Sequence, residues 1–285
     1  MTTTELKSIH QRWRTDGYVL VPGLIDPAQA GRLHTICSDI LAQWRACDPQ
    51  TGTPGEKPDA TVMRHLNHPA YFSQHPEWLS TLLDAVADPN VLRVVAEILG
   101  EPPLFRCTSL FFNPSAIRLD GNWHRDSQFM VNKDDDAAER ALLANMSDTG
   151  VGMQLQIALI PSDDIELVPG SHLRWDTPEE FAIRKADGWA HNRANTMPGA
   201  LRVHQAAGDA VLFNPAAIHR GRYYSDIPRS TLMLTYTKVS EPYTDFFSNQ
   251  PWFLQPEYME RLSAATRAFF EPFVAQYESF WRSSM

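Results

Sequence analysis

The chain has 285 residues, 43% of them hydrophobic and 21% charged, with no low-complexity tract, which provides for a sizeable core and excludes a disordered polymer. Its net charge of −9 and the lack of any Lys/Arg run argue against nucleic acid and anionic membranes as partners. Three scattered cysteines, Cys37, Cys47 and Cys107, cannot build a disulfide framework or a cysteine zinc site, and free thiols fit a reducing compartment. The polar N-terminal stretch has no apolar segment of signal-peptide type and no later run is long enough to span a bilayer, so a soluble cytoplasmic protein is expected.

In chain order, about 1–100 reads as mostly helical. Leu6, Ile9 and Trp13 share one face of an opening helix, and Gly17 to Gly23 is a short β run closed by turn residues. Asp26-Pro27 is a helix start, with an N-cap acid before a proline at the first helical position. From Ala28 to about Ala46 the apolar residues fall at helical spacing, and Asp48 to Asp59, rich in Pro, Gly and Thr, reads as a loop. Two more helices are predicted over Pro76–Ala87 and Asn90–Leu99, the second stopping at Gly100.

The period then changes. Leu104–Asn113, Gly152–Ile160, Ile165–Val168, Ala210–Asn214 and Ser230–Lys238 are short, β-rich and separated by turn residues, which predicts a closed or double-sheet antiparallel core over about 101–240. Two long charged segments, Asn132–Asp148 and Asp176–Gly199, interrupt these strands and read as lids over a site. A helical stretch from about Gln255 to Phe280 closes the chain, with an aromatic face that predicts core packing or a contact between two copies. No internal repeat or linker divides the chain, so 1–285 is expected to be a single domain.

Asn122-Trp123-His124-Arg125-Asp126-Ser127 carries a His-x-Asp triplet. On an extended segment side chains alternate, so His124 and Asp126 project to one face. They supply two of the three ligands of the 2-His-1-carboxylate face that holds non-haem iron and leaves positions open. His219 follows a turn–strand–turn unit, Gly208 to Pro215, and is placed to be the third. Arg229 opens the next strand ten residues on. An arginine facing the interior of a sheet fold calls for a carboxylate or phosphate partner. A dianion chelating the metal at one end and reaching Arg229 with its far carboxylate meets that need, with Thr231, two residues further on the same side, adding a hydroxyl.

The order of these elements resembles the phytanoyl-CoA dioxygenase family over nearly the whole chain. The likeness starts at Asp16 to Ile25, continues through Trp123-His124-Arg125-Asp126 and Leu167-Val168-Pro169-Gly170-Ser171-His172, and ends with His219 and Arg229. It implies a double-stranded β-helix (a cupin-like jelly-roll), mainly β, with N- and C-terminal helices packed outside. It also implies iron(II), with 2-oxoglutarate and O₂ as co-substrates. His124, Asp126 and His219 would hold the metal and Arg229 the C5 carboxylate of 2-oxoglutarate. Two positions depart from the family: Gly221 stands where a small hydroxyl residue is common, and Gln154 and Gln156 stand on a strand where some members carry an aromatic residue. One of these glutamines is expected to bond the co-substrate instead.

The expected activity is hydroxylation of an unactivated C–H bond in a small or mid-sized metabolite, with release of succinate and CO₂. Halogenating relatives lack the carboxylate that Asp126 provides, which argues against halogenation. The competing readings are a cupin-like isomerase or hydrolase using the same ligands without 2-oxoglutarate, and a non-catalytic jelly-roll binding protein. His172 is expected to be structural or to line the cavity wall, and Arg220 and Arg222 to be solvated or paired. Trp189, His191 and Arg193 read as lid surface or substrate contacts. Nothing in the sequence marks a CoA site.

Overall fold

The computed structural model of the chain describes residues 1–116, 118–149 and 153–284. Helix α1 (Thr3–Asp16) buries Ile9 and Trp13, is capped by Thr2 and Glu5, and ends at Gly17, whose φ of 75° is the left-handed conformation a glycine adopts without strain. Strand β1 (Tyr18–Val21) leads to α2 (Pro27–Ala46), where the Asp26 side chain accepts from the Gln29 amide at 2.9 Å. After the expected loop come β2 (Val62–Arg64), α3 (Glu77–Val86) and α4 (Pro89–Leu99). The core strands and their insertions follow: β3 (Pro103–Phe111), β4 (Leu119–Asp120), α5 (Asp136–Thr149), β5 (Met153–Ala158), β6 (Ser162–Leu167), α6 (Pro178–Arg184), the short turn α7 (Ala186–Trp189), β7 (Leu201–Gln205), β8 (Ala210–Phe213), β9 (His219–Tyr223) and β10 (Thr231–Lys238). The chain closes with α8 (Pro256–Glu260) and α9 (Ala264–Ser284). Gly152, where the expected strand Gly152–Ile160 starts, lies outside the described residues.

The strands form two antiparallel sheets, one of six in the order β1-β8-β5-β10-β3-β2 and one of four in the order β4-β9-β6-β7. They face each other as a jelly-roll and, among the described residues, do not close into a barrel. Alternation divides the large sheet into two unlike faces. Its outer face carries Leu110, Leu155, Ile157, Leu212, Leu232 and Leu234, all buried in one hydrophobic cluster with the helices. Its inner face carries Ser109, Gln154, Gln156, Met233 and Thr235 beside Val211 and Phe213, a mixture that suits a ligand cavity more than a dry core. The predicted helices thus pack on the outside of the double sheet, sharing one core with its outer face.

The aromatic face of α9 is used within the chain. Phe270, Phe273, Tyr277 and Trp281 are all 0% exposed; Phe270 and Phe273 meet Phe105 edge-on, Trp281 stacks on Phe253, and Tyr277 packs against Phe273 and Trp281. Of the two expectations for this stripe, core packing accounts for these four rings, which meet the body of the protein. The single C-terminal helix read from the sequence is two, α8 and α9, with Arg261–Ser263 between them. No helix among the described residues is long and apolar enough to cross a membrane.

Candidate metal centre

His124, Asp126 and His219 come together between the sheets, with one ligand atom from each lying within 4.8 Å of the others. His219 opens β9. His124 pairs with it as an isolated bridge, through main-chain hydrogen bonds of 3.0 Å from the His124 amide and 2.9 Å from the His219 amide. Only Arg125 continues the extended path, because Asp126 already begins a 3-10 turn over Asp126–Phe129. One extended residue is enough: His124 and Asp126 face the cavity and Arg125 faces away.

Each imidazole is oriented by a carbonyl. His124 Nδ1 donates to Asn122 O at 2.7 Å and His219 Nδ1 donates to Ala217 O at 2.9 Å. A carbonyl only accepts, so the proton sits on Nδ1 and both Nε2 lone pairs are free for a metal. Those Nε2 atoms lie 3.6 Å and 3.8 Å from Asp126 Oδ1. Metal–ligand bonds of roughly 2.0–2.2 Å at right angles place neighbouring donors about 3 Å apart, so a modest contraction completes the face. Burial, and then the neighbouring His124, push the His219 pKa down to about 4, which keeps its imidazole neutral, the form that can take a metal. The other carboxylate oxygen is held by Gln154, whose Nε2 donates to Asp126 Oδ2 at 2.6 Å.

The triad lines a cavity of about 700 Å³, in the size range of small-molecule sites. Gln154, Gln156 and Arg229 line it too. Arg229 is buried, and its Nε lies 3.5 Å from both Thr231 Oγ1 and Asp164 Oδ2, while Nη1 donates to Arg222 O at 3.3 Å. These are long contacts for a guanidinium, which leaves it free to meet a stronger acceptor. Gly221 sits in the same wall, and a Cβ there would lie 2.6 Å from the Tyr223 hydroxyl. The departure at Gly221 therefore makes room for a larger phenol on the same strand face, stacked 4.9 Å from the Arg229 guanidinium.

Other residues fall into place around the site. His172 is buried against the opening helix, with Nε2 donating to Arg14 O at 3.2 Å, and takes no part in the triad. Arg220 and Arg222 share Glu166, at 2.6 and 2.8 Å. Trp189 packs under Lys133, His191 faces Asp187, and Arg193 donates to Asn122 Oδ1 at 2.8 Å. None of these three lines the cavity among the described residues.

Sequence reasoning missed two supports. The first lies behind the triad. Arg125 donates to Asp176 Oδ1 from Nε and Nη2 at 3.0 and 2.9 Å, and to the carbonyls of Ser171, Ala216 and Arg174. Arg184 links the other oxygen of Asp176, at 2.7 Å, to Glu139, at 2.8 Å, and Lys185 adds a 2.8 Å bond to Glu139. Both inserts are thus docked onto the metal motif by buried charge. The available signal was Arg125 itself, since an arginine alternating with two ligands must point into the protein and find acids there. The second support is the loop after β10, where Tyr243, Asp245 and Phe247 cover the cavity. Helix α9 pins this loop: Tyr277 bonds the Tyr243 main chain at both N and O, and Trp281 Nε1 donates to Ser248 O at 2.8 Å.

A double-sheet jelly-roll with a His-Asp-His face and a buried arginine in one cavity defines a metal-binding enzyme scaffold of the cupin kind. A profile of the phytanoyl-CoA dioxygenase (PhyH) family matches residues 13–230, and the chain belongs to that family. Among solved structures, EctD from S. alaskensis with bound Fe is similar over 89% of this chain and 83% of its own, at 18% identity and a TM-score of 0.60. AviO1 from Streptomyces viridochromogenes Tue57 is similar over 86% and 100%, at 18% identity and 0.58. The epimerase SnoN in complex with Fe3+, alpha ketoglutarate and nogalamycin RO is similar over 84% and 85%, at 18% identity and 0.55. No curated protein matches the sequence.

Proposed function

We propose that this chain is an iron(II)- and 2-oxoglutarate-dependent oxygenase that hydroxylates an unactivated C–H bond of a small or mid-sized metabolite. The carrying observation is that two carbonyl-oriented imidazoles and a glutamine-held carboxylate share one cavity with a loosely held arginine. The donor set fits iron(II), being two neutral nitrogens and one carboxylate on one face. Bound there with 2-oxoglutarate and O₂, iron(II) supplies the C–H oxidation, with succinate and CO₂ as co-products.

The chain's own residues do the positioning. His124, Asp126 and His219 hold the metal, and Gln154 fixes which oxygen of Asp126 faces it. Arg229 takes the far carboxylate of the co-substrate, with Thr231, Gln156 and the Tyr223 hydroxyl at hand in the same region. Met146, Met233 and Phe213 keep part of the wall apolar and water out. Because Asp126 occupies the third ligand position, no halide takes it, and oxygenation is the outcome in place of halogenation. The three free thiols fit work in the cytoplasm.

Titration of the metal-free protein with iron(II) and 2-oxoglutarate under anaerobic conditions tests the reading, followed by a metabolite screen for substrate-stimulated succinate. Stoichiometric binding of both is expected, with 2-oxoglutarate weakened at least tenfold in Arg229→Ala. An unchanged affinity in that variant sinks the co-substrate assignment. The 3.5 Å approach of Asp164 to Arg229 favours one second reading, a cupin-like metalloenzyme that uses the triad without 2-oxoglutarate. Iron binding with no 2-oxoglutarate binding would select it.

A further inference from the structure

Arg64 ends β2 at the edge of the large sheet, and its side chain lines the same cavity as the triad. Three other arginines of the cavity wall have acids: Arg106 has Asp245, Arg220 has Glu166 and Arg229 has Asp164. Among the described residues no carboxylate pairs with Arg64. Its Nη1 donates to Ser109 Oγ at 2.8 Å, and its faces lie against the rings of Phe111, at 5.5 Å, and Phe247, at 5.0 Å. With one amine on Ser109 and two rings beside it, the guanidinium has further N–H donors for an incoming carboxylate. Burial pulls its pKa below the ordinary arginine value, which is the strain a bound anion relieves.

The position separates this arginine from the co-substrate site. Arg64 pairs with Ser109, Ser109 with Met233 and Met233 with Gln156 across the inner face. The backbone of Arg64 lies two strand spacings from β10, about 10 Å, and its side chain reaches back over Ser109 to where it feels the charge of Asp126. Its guanidinium thus faces the triad from the other side of Phe111 than Arg229's strand. The loop carrying Phe247 closes over this edge and is tied to the residue after Arg64: His65 Nε2 donates to Phe247 O at 3.1 Å.

Resting on the oxygenase reading above, we infer that Arg64 anchors a carboxylate of the organic substrate. The substrate is then an amphipathic acid: its apolar body lies along Met233, Phe111 and Phe247, and the C–H that reacts is several bonds from the carboxylate.

The test uses the full chain loaded with iron(II) and 2-oxoglutarate under anaerobic conditions. The probes are matched pairs of medium-chain and aryl-alkyl carboxylic acids and their primary amides, with 4-phenylbutyrate and 4-phenylbutyramide as one pair, and binding is read by calorimetry. Wild type is expected to bind the acids at least tenfold more tightly than the amides. In Arg64→Gln that preference disappears, in Arg64→Lys part of it returns, and 2-oxoglutarate affinity stays within twofold in both, which also reports intact folding. No acid preference in wild type, or one that survives Arg64→Gln, overturns the inference. So does an Arg64→Gln protein that loses 2-oxoglutarate affinity, since Arg64 would then serve the co-substrate. If wild type binds iron but no 2-oxoglutarate, the oxygenase reading fails, and the acid–amide comparison on the iron-loaded protein still decides the role of Arg64.

Discussion

Gln154 and Gln156 are two residues apart on one strand face, yet only Gln154 touches a residue of the candidate triad, through its 2.6 Å bond to Asp126 Oδ2. A partner of that kind contributes on the order of ten- to a hundredfold in metal affinity. Gln154→Leu should therefore weaken iron(II) binding by about that factor, while Gln156→Leu leaves it near wild type; competitive chelation measures both. His219 gives a pH signature in the metal-free protein. Its folded pKa of about 4 lies below the ordinary 6.5, so the unfolded chain takes up a proton that the folded chain refuses. Its contribution to stability is full above pH 6.5 and is lost as pH falls toward 4, by at most ~1.4 kcal/mol per pH unit. Urea unfolding across that window should show the decline, and His219→Asn should flatten it. At this scale the convergence of His124, Asp126, His219 and Arg229 on one cavity was legible, because metal chemistry restricts residue type and alternation restricts spacing. The choice between Gln154 and Gln156 was not, since it depends on where the Asp126 carboxylate turns after a single extended residue.

Among the elements, the outer-face strands were readable from their β-branched and aliphatic runs, and three of the four strands of the small sheet were not. Leu201–Gln205 and His219–Tyr223 carry Arg, His and Gly where a sheet reader looks for alternating apolar residues. Their arginines are covered by Glu166 and Asp163, partners on β6 that no local pattern reveals. The same holds for the inserts, where Glu139, Asp176, Arg184 and Lys185 are clamped beneath the His124–Asp126 segment. Removing one member of a fully buried pair leaves its partner unmatched, at about 3–5 kcal/mol. Arg184→Met is expected to destabilise by that amount in chemical denaturation and to lower metal affinity by loosening Arg125 and the ligands beside it. Loss of the Trp281 anchor should act elsewhere: Trp281→Ala is expected to cost ~3–5 kcal/mol and to raise hydrogen exchange in residues 243–248 more than in β5.

For the molecule as a whole, one hydrophobic cluster runs from Ile9 and Trp13 of α1 to Tyr277 and Trp281 of α9 through the outer face of the large sheet. The helices at both ends are parts of one hydrophobic cluster, and on that ground we propose that the chain unfolds as a single domain. Fluorescence and circular dichroism should therefore report one coincident unfolding transition; two separated midpoints would refute the single-domain reading. The general architecture was legible because its period switches from helical to strand-like near Leu104. The loop that closes the cavity was not, because Tyr243, Asp245 and Phe247 acquire their role only from the packing of a helix over thirty residues later in the chain.

The main-chain bridge between His124 and His219 has a consequence for how such a site changes over time. Neither imidazole depends on the other's side chain, or on Asp126, for its place: the backbone ladder and two carbonyls set both. The carboxylate position is thus a replaceable module on a fixed frame. Substituting it leaves a two-histidine socket with an added vacancy, ready to accept a small anion from solution. Asp126→Gly should lose iron(II) affinity in plain buffer and recover a measurable part of it with added formate, so that new chemistry at this centre is one codon away while the scaffold stays as it is.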